Sequence, residues 1–323
     1  MSNDILRVEN LKKHFPIKKG LLLRQVGSVK AVDGVSFSVK KGQTIGLVGE
    51  SGCGKSTLGR TLCKLYEATE GQIFFEDQDI TRLHGSDLKQ MRRKVQMIFQ
   101  DPYASLDPRM TISRIIAEPL RLHKWGTPNQ IEDRVVELLE IVGLKSSYLN
   151  RYPHEFSGGQ RQRIGIARAI ALEPDVIIAD EPVSALDVSI QAQVLNLLMD
   201  LQEKMNLTYI FISHDLSVVE HFCDEVAVMY LGKIVEKAPA EELYERPSHP
   251  YTKALLHSIP KLGQGKIKNR QLLTGDVPSP IDPPSGCHFH PRCPIADSGC
   301  KKDYPAFCNI KNEHHKAACF KVI

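Results

Sequence analysis

The chain has 323 residues, 42% hydrophobic and 25% charged, which is ordinary for a soluble globular protein and leaves room for one large domain and an appendage. Its formal charge of +4 is too small to argue for nucleic acid as a partner. No apolar run approaches the ~20 residues that span a bilayer, and Met1-Ser2-Asn3-Asp4 does not begin a secretory signal, so the chain is expected to stay on the cytoplasmic side.

Residues 5–15 and 29–39 alternate apolar and polar positions, which predicts antiparallel strands. Lys18–Arg24 interrupts them and reads as a loop, its three leucines packed on the body or touching another subunit. Thr44–Val48 (TIGLV) is a short buried strand running into a Gly-rich loop, and Lys55–Leu65 is the helix expected after it. Val95–Phe99, Val176–Ala179, Tyr209–Ser213 and Val226–Met229 are further apolar runs of strand length, with helical patterns between them. This alternation predicts a parallel, helix-covered sheet.

Residues 103–170 differ. Helical patterns at Ile112–Leu120, Gln130–Val142 and Gly159–Ala171 occur with no strand pattern, which predicts an inserted helical subdomain. From Pro247 proline and glycine become frequent, and a short helix at Tyr251–Ser258 leads into a loop-rich end without strand patterns. The expected division is therefore a first domain over 1–245 and an extension over 246–323. Such an extension has too little core of its own and must be stapled, docked or disordered. From Arg246 onward there are twelve Lys and Arg against five Asp and Glu, a basic end that is either simply solvated or apposed to something anionic.

Gly49, Gly54, Lys55 and Ser56 match G-x-x-x-x-G-K-[ST] between a strand and a helix, the context that this motif requires. Glycines let successive N–H groups turn inward and cradle phosphate oxygens, and the new helix adds positive potential. The expected nucleotide-phosphate contacts are Gly49, Glu50, Ser51, Gly52, Cys53, Gly54, Lys55, Ser56 and Thr57. Lys55 suits the β- and γ-phosphates and Ser56 suits Mg²⁺; Cys53 reads as a small filler or, less simply, a redox sensor. Val176–Ala179 ends in Asp180-Glu181, at the strand edge where open α/β sheets place ligands. Asp180 suits Mg²⁺, and Glu181 suits polarising an attacking water. His214 alone would be structural, but in this order it reads as a γ-phosphate sensor. Gln100 suits Mg²⁺ or its water.

Eight cysteines are present. Cys53, Cys63 and Cys223 are scattered, whereas Cys287, Cys293, Cys300, Cys308 and Cys319 crowd the last 37 residues. In a reducing compartment such a cluster reads as a metal site before it reads as disulfides.

With Gln100, Asp180-Glu181, Ser184-Ala185-Leu186-Asp187 and His214, the segment Ser157-Gly158-Gly159-Gln160 resembles the signature of ABC transporter ATP-binding subunits, and the resemblance spans residues 5–245. It implies a P-loop α/β fold: a mixed sheet on a RecA-like core, an antiparallel β region and an inserted α-helical subdomain, here with a small loop-rich, cysteine-containing extension. It also implies a head-to-tail dimer, with each ATP held between the Gly-rich loop of one subunit and Ser157–Gln160 of the other, and Asp187 at the same interface. Phe156 replaces the more usual leucine before the signature. Phe15 stands where the family stacks an aromatic ring on adenine, or is plain core.

DPYASLDPR (Asp101–Arg109), RYPHEFSGGQRQR (Arg151–Arg163), HPYTKALL (His249–Leu256) and GCHFHPRCP (Gly286–Pro294) are similar to dipeptide/oligopeptide importer subunits, most of all the F-type member of their ATPase pair. This implies ATP and Mg²⁺ as cofactors, a D-type ATPase partner, two permease subunits and an extracytoplasmic peptide-binding protein, with no nucleic acid. Related nickel and glutathione importers share much of the pattern. A soluble ABC ATPase acting on nucleic acid or ribosomes is the rival class, although this chain has one ATPase unit and no heptad stretch. In relatives, cysteines at the spacing of Cys287, Cys293, Cys300 and a distal Cys319 ligate a [4Fe–4S] cluster; zinc and unligated thiols are the alternatives, and Cys308 is either a bystander or a substitute for Cys319.

Overall fold

The computed structural model of the protein describes residues 4–20, 24–258, 275–310 and 314–322. In chain order the strands are β1 (Asp4–Lys19), β2 (Arg24–Lys40), β3 (Thr44–Val48), β4 (Glu70–Phe75), β5 (Gln78–Asp79), β6 (Val95–Ile98), β7 (Val176–Asp180), β8 (Thr208–Ser213), β9 (Glu225–Tyr230), β10 (Lys233–Pro239), β11 (Cys308–Asn309) and β12 (Lys316–Ala317). The helices are α1 (Lys55–Leu62), α2 (Gly85–Lys94), α3 (Ile112–Leu122), α4 (Pro128–Ile141), α5 (Gly158–Ile170), α6 (Val188–Met205), α7 (Leu216–Phe222), α8 (Ala240–Glu245) and α9 (Pro250–His257). The fold is mixed α/β, built as two compact units, one mostly Arg82–Ile212 and the other Ile5–Ser38, Thr44–Thr81 and Ser213–Ile323.

The first unit carries three parallel strands, β6 beside β7 and β7 beside β8, with Val95 opposite Val176 and Ile177 opposite Tyr209. Every residue of β7 and β8 is buried, as expected where helices cover both faces of parallel strands. Three helices follow from amphipathic spacing. α3 buries Ile112, Ile115, Ile116 and Leu120, and α4 buries Ile131, Val135, Leu138 and Leu139. α4 opens on a capping box, Thr127 with Gln130, and α5 on another, Ser157 with Gln160. Phe156, just ahead of α5, is buried edge-on to Tyr148 with ring centroids 5.3 Å apart, so the bulkier ring is absorbed by packing.

In the second unit β3 runs parallel to β9, with Leu47 opposite Ala227, while β10 returns antiparallel to β9. A separate antiparallel sheet has the order β2-β1-β4-β5. The chain beyond residue 245 belongs to this unit, and it docks. β12 pairs antiparallel with β10, Glu236 opposite Ala317, and β11 pairs with β12.

Three expectations change. The α1 helix ends at Leu62 rather than Leu65, because Lys64 takes a left-handed conformation (φ 57°) and its ammonium donates to the Thr81 carbonyl. The loop expected over Lys18–Arg24 is narrower, since β1 reaches Lys19 and β2 begins at Arg24; Leu21, Leu22 and Leu23 lie outside the described residues. The C-terminal end does contain strand, and β10, which receives it, gave no clear signal. Its charged Glu236 faces inward, fully buried, where it accepts hydrogen bonds from the Ser248 and His249 N–H groups at 2.6 and 2.9 Å.

Candidate nucleotide site and cysteine-lined cavity

The phosphate loop joins β3 to α1. Gly49 has φ 148°, and a Cβ there would lie 2.2 Å from the Met229 carbonyl oxygen. Gly54, which caps α1, has φ 109°, and a Cβ there would lie 2.0 Å from the Ala31 carbonyl oxygen. Neither position tolerates a side chain, so the two glycines are dictated by the turn itself. Lys55 is buried, and its Nζ donates to the Gly49 carbonyl at 2.7 Å and the Glu50 carbonyl at 3.1 Å, folding the lysine back over the loop. Ser56 and Thr57 are half-buried in the first turn of α1, whereas Ser51 and Gly52 are the exposed tip. Burial pushes the Cys53 thiol up, against the lowering influence of the Lys55 ammonium. A buried neutral thiol is a poor redox sensor and a good filler.

Glu50 is held from two directions. Arg292 grips its carboxylate with both terminal nitrogens, at 2.7 and 2.9 Å, and the Glu50 N–H donates to the Tyr251 hydroxyl at 2.8 Å. Glu50 in turn keeps the Arg292 guanidinium above its ordinary value. Neither partner carries a role in the sequence reading, although HPYTKALL and GCHFHPRCP contain them; the motifs marked importance without saying what the residues touch.

Phe15 is half-buried on β1, edge-on to Tyr66 with centroids 5.4 Å apart, and the Lys13 ammonium lies 4.9 Å from its ring. His214 follows β8 as an exposed residue; next to it, the Asp215 N–H donates to Ser213 Oγ at 2.9 Å and Asp215 caps α7 through the Ser217 N–H.

In the first unit, Gln100 Nε2 donates to Glu181 Oε2 at 2.8 Å, which brings together two of the expected residues 81 positions apart. Asp180 closes β7 and is completely buried. Glu181 has φ 47°, an uncommon conformation for a residue with a side chain, held by its N–H to the Ile212 carbonyl at 2.9 Å and by Ser184 Oγ, which donates to its carbonyl at 3.1 Å. Such backbone strain concentrates at functional positions. Ser157, Gly158, Gly159 and Gln160 form the exposed-to-buried start of α5, and Asp187 precedes α6, its carbonyl accepting from Gln191 N–H at 2.8 Å.

Cys287, Cys293, Cys300 and Cys319 line one small pocket, partly open to solvent, together with His249, Phe289 and His290 among others. Cys308 is not part of that lining. Burial pushes the Cys287 thiol up to about 11 and raises Cys293 and Cys319 as well. Their sulfurs are soft donors of the kind that thiolate-ligated groups take, and a bound cation's charge would be needed to make these thiols ionise. Among the described residues no three His, Cys, Asp or Glu side chains are arranged to hold a metal ion.

Residues 32–184 match the ABC transporter family, and residues 235–300 match the oligopeptide/dipeptide transporter C-terminal region. The oligopeptide transport ATP-binding protein AppF of Bacillus subtilis is 59% identical over 316 residues, 97% of this chain and 96% of that protein. The dipeptide transport ATP-binding protein DppF of Haemophilus influenzae is 52% identical, over 94% of this chain and 93% of its own length. Among solved structures, the ATP-binding cassette MJ0796 in a post-hydrolysis state bound to ADP and Pi is 28% identical with TM-score 0.65, over 73% of this chain and 98% of that one. CbiO1 from Clostridium perfringens, part of the ABC transporter complex cbiONQ, is 26% identical with TM-score 0.64, over 76% and 92%. The chain therefore belongs to the ABC transporter ATP-binding proteins that carry the oligopeptide/dipeptide C-terminal region. Its ABC domain binds ATP. Among the described residues no helix is long and apolar enough to cross a membrane.

Proposed function

We propose that this chain is the ATPase subunit that drives import of di- and oligopeptides by an ABC transporter. The observation that carries the reading is the 59% identity over almost the whole of both chains to an oligopeptide transport ATP-binding protein. The functional domain runs over 1–245 and the peptide-transporter extension over 246–323, with residues 103–170 as the helical subdomain.

The phosphate loop, Gly49–Thr57, receives the triphosphate, Lys55 takes the β- and γ-phosphates, and Phe15 stacks on adenine. Ser56, Asp180 and Gln100 are hard oxygen donors of the kind Mg²⁺ takes, and the ion would neutralise charge on the departing phosphate. Glu181 polarises the attacking water and His214 orients it against the γ-phosphate. The bond from Gln100 to Glu181 holds that carboxylate in a defined rotamer. Ser157, Gly158, Gly159 and Gln160 at the start of α5, with Asp187, face nucleotide bound by a second, D-type ATPase subunit, since a helix N-terminus is suited to phosphate. ATP thereby closes a head-to-tail dimer, and loss of the γ-phosphate opens it. Two permeases anchor the pair to the cytoplasmic face of the membrane, an extracytoplasmic binding protein delivers peptide, and Gln100–Arg109 passes the motion on.

Cys287, Cys293, Cys300 and Cys319 hold a [4Fe–4S] cluster. It would cross-link an extension that lacks its own core, with a potential set by its surroundings. The support is that the four thiols line one pocket and that cysteines at this spacing ligate such a cluster in the family the chain resembles. Iron and acid-labile sulfide on anaerobically purified protein test this; zinc without iron would replace it.

For the ATPase itself, Glu181→Gln is expected to keep ATP binding, to lower turnover by ~100-fold or more and to trap a closed dimer with the partner subunit. Wild-type turnover in that variant would remove Glu181 from the role assigned to it.

A further inference from the structure

The phosphate loop cannot choose its own conformation. Glycines make it possible for the N–H groups to turn inward, and the same freedom makes the loop costly to order. Something must hold it. At the tip Ser51 and Gly52 are exposed. At the base, Met229 and Ala31 carbonyls crowd Gly49 and Gly54, and the Gly232 N–H donates to the Cys53 carbonyl at 2.9 Å. Between base and tip stands Glu50, and both of its polar ends are claimed by the C-terminal extension: the carboxylate by Arg292, the N–H by Tyr251.

Those two residues are themselves buried among other side chains. The side chain of Arg292 is 5% exposed, and the residue ends a short 3-10 turn, His290–Arg292, that lies between Cys287 and Cys293. The His290 N–H and Nδ1 both sit at hydrogen-bond distance, 2.9 and 3.0 Å, from the Cys287 carbonyl. Tyr251 is completely buried, packed against Tyr230 and Phe289 with ring centroids 4.7 and 5.4 Å away, and Phe289 is edge-on to Tyr230 at 5.3 Å. Tyr230 ends β9, the strand parallel to β3, which leads into the loop. A bidentate guanidinium–carboxylate pair fixes direction as well as distance, and a buried aromatic hydroxyl that accepts from the N–H anchors the backbone beside it.

We infer that Arg292 and Tyr251 are positioning residues of the nucleotide site, which hold Glu50 and through it the phosphate loop, so that the cysteine-bearing extension is a working part of ATP binding and not only an attachment. The inference rests on the reading of Gly49–Thr57 as the ATP site. It gives the extension a role that the peptide cargo does not require. Any change that loosens the turn between Cys287 and Cys293 is then felt at the triphosphate.

The test uses the full-length chain. A fluorescent ATP analogue is titrated into wild type, Arg292→Ala, Arg292→Lys, Glu50→Gln and Tyr251→Phe, with circular dichroism and thermal melting in parallel. Arg292→Ala is expected to raise the Kd about tenfold, since it frees both carboxylate oxygens. Arg292→Lys keeps the charge without the fork and recovers part of the affinity, Glu50→Gln falls between, and Tyr251→Phe weakens binding about threefold. His315→Ala, which loosens the extension at β10 instead, is expected to lower the melting temperature with the Kd left at the wild-type value. In the complex with its ATPase partner, Arg292→Ala is expected to raise KM for ATP more than it lowers kcat. A Kd within twofold of wild type in folded Arg292→Ala overturns the inference, and so does an equal rise in Kd for His315→Ala, which would reduce the contact to general stability. If Arg292→Ala does not fold, Arg292→Lys and Glu50→Gln decide by the same criterion. Wild type that binds no nucleotide would overturn the ATP-site reading, and this inference with it.

Discussion

The phosphate loop and the cysteine-lined extension belong to one compact unit, yet they are made in opposite ways. The loop is nine consecutive residues, Gly49–Thr57, whose shape comes from backbone turns and the strand and helix at either end. The extension gathers Cys287, Cys293, Cys300 and Cys319 from across more than thirty residues and relies on borrowed structure: a place on β10, a buried ring in Phe289, a carboxylate in Glu236. The lesson is that a local site survives on backbone geometry, whereas a dispersed one survives on its anchors. Each can be broken by the change that strikes its own support.

The largest effect is expected from the smallest alteration. Gly49→Ala adds one methyl group 2.2 Å from the Met229 carbonyl oxygen and should weaken ATP binding by ~100-fold or more, measured by analogue titration. A comparably small change in the extension, Cys287→Ser, should abolish the iron content that the proposed cluster would give and lower the melting temperature by roughly 5 °C or more, since metal binding there would be folding energy. Retained iron with an unchanged melting temperature would show that Cys287 is not a ligand.

The third prediction strikes an anchor. His315 is buried between Glu236 and Glu242, with Nε2 2.7 Å and Nδ1 3.0 Å from their carboxylate oxygens. The hydrogen bond to Glu236 is the main influence raising His315 above its ordinary 6.5, burial opposes it, and the bond to Glu242 adds to it. A raised value means that the folded state binds the proton more tightly. The stabilisation is therefore fully present below pH 6.5 and is lost as pH climbs through the folded value. His315→Ala should cost about 3 kcal/mol at pH 6, because it leaves the Glu236 carboxylate buried beside an empty space. The gap to wild type in denaturant unfolding should shrink toward pH 9. His249 works in the other direction: burial lowers it to about 4, so its share of stability is lost as pH falls from 6.5 toward that value. The melting temperature should then drop on acidification in wild type and less so in His249→Phe.

The smallest effect is expected at Phe15, where truncation to Ala should weaken ATP about tenfold with kcat preserved, in line with ~1–3 kcal/mol for stacking of a base on an aromatic ring. An unchanged Kd would assign Phe15 to packing against Tyr66 alone.

Much of the α/β framework was legible because buried parallel strands announce themselves. Every residue of TIGLV, VIIAD and TYIFIS is apolar or hidden, and each run is the length of one strand. The strands that escaped notice are β4, β5, β10, β11 and β12, and at β10 a tertiary partner overrules the pattern. β10 carries a charged residue inward because two backbone N–H groups and His315 wait for it, and β11 and β12 are two residues each, too short for any period to appear. The end of α1 escaped for a similar reason, since Lys64 turns out of the helix toward the Thr81 carbonyl, seventeen residues away.

By itself the sequence determined the phosphate loop, the acidic end of β7, the helix that became α5 and the family, because each is written in contiguous residues whose geometry is local. Only the tertiary structure decided that Gln100 meets Glu181, that four cysteines share one cavity and that Arg292 and Tyr251 hold Glu50. Those contacts join residues from 81 to 242 positions apart or turn on where a loop-rich segment comes to rest. No spacing rule reaches that far; burial and charge pairing in the folded chain select them.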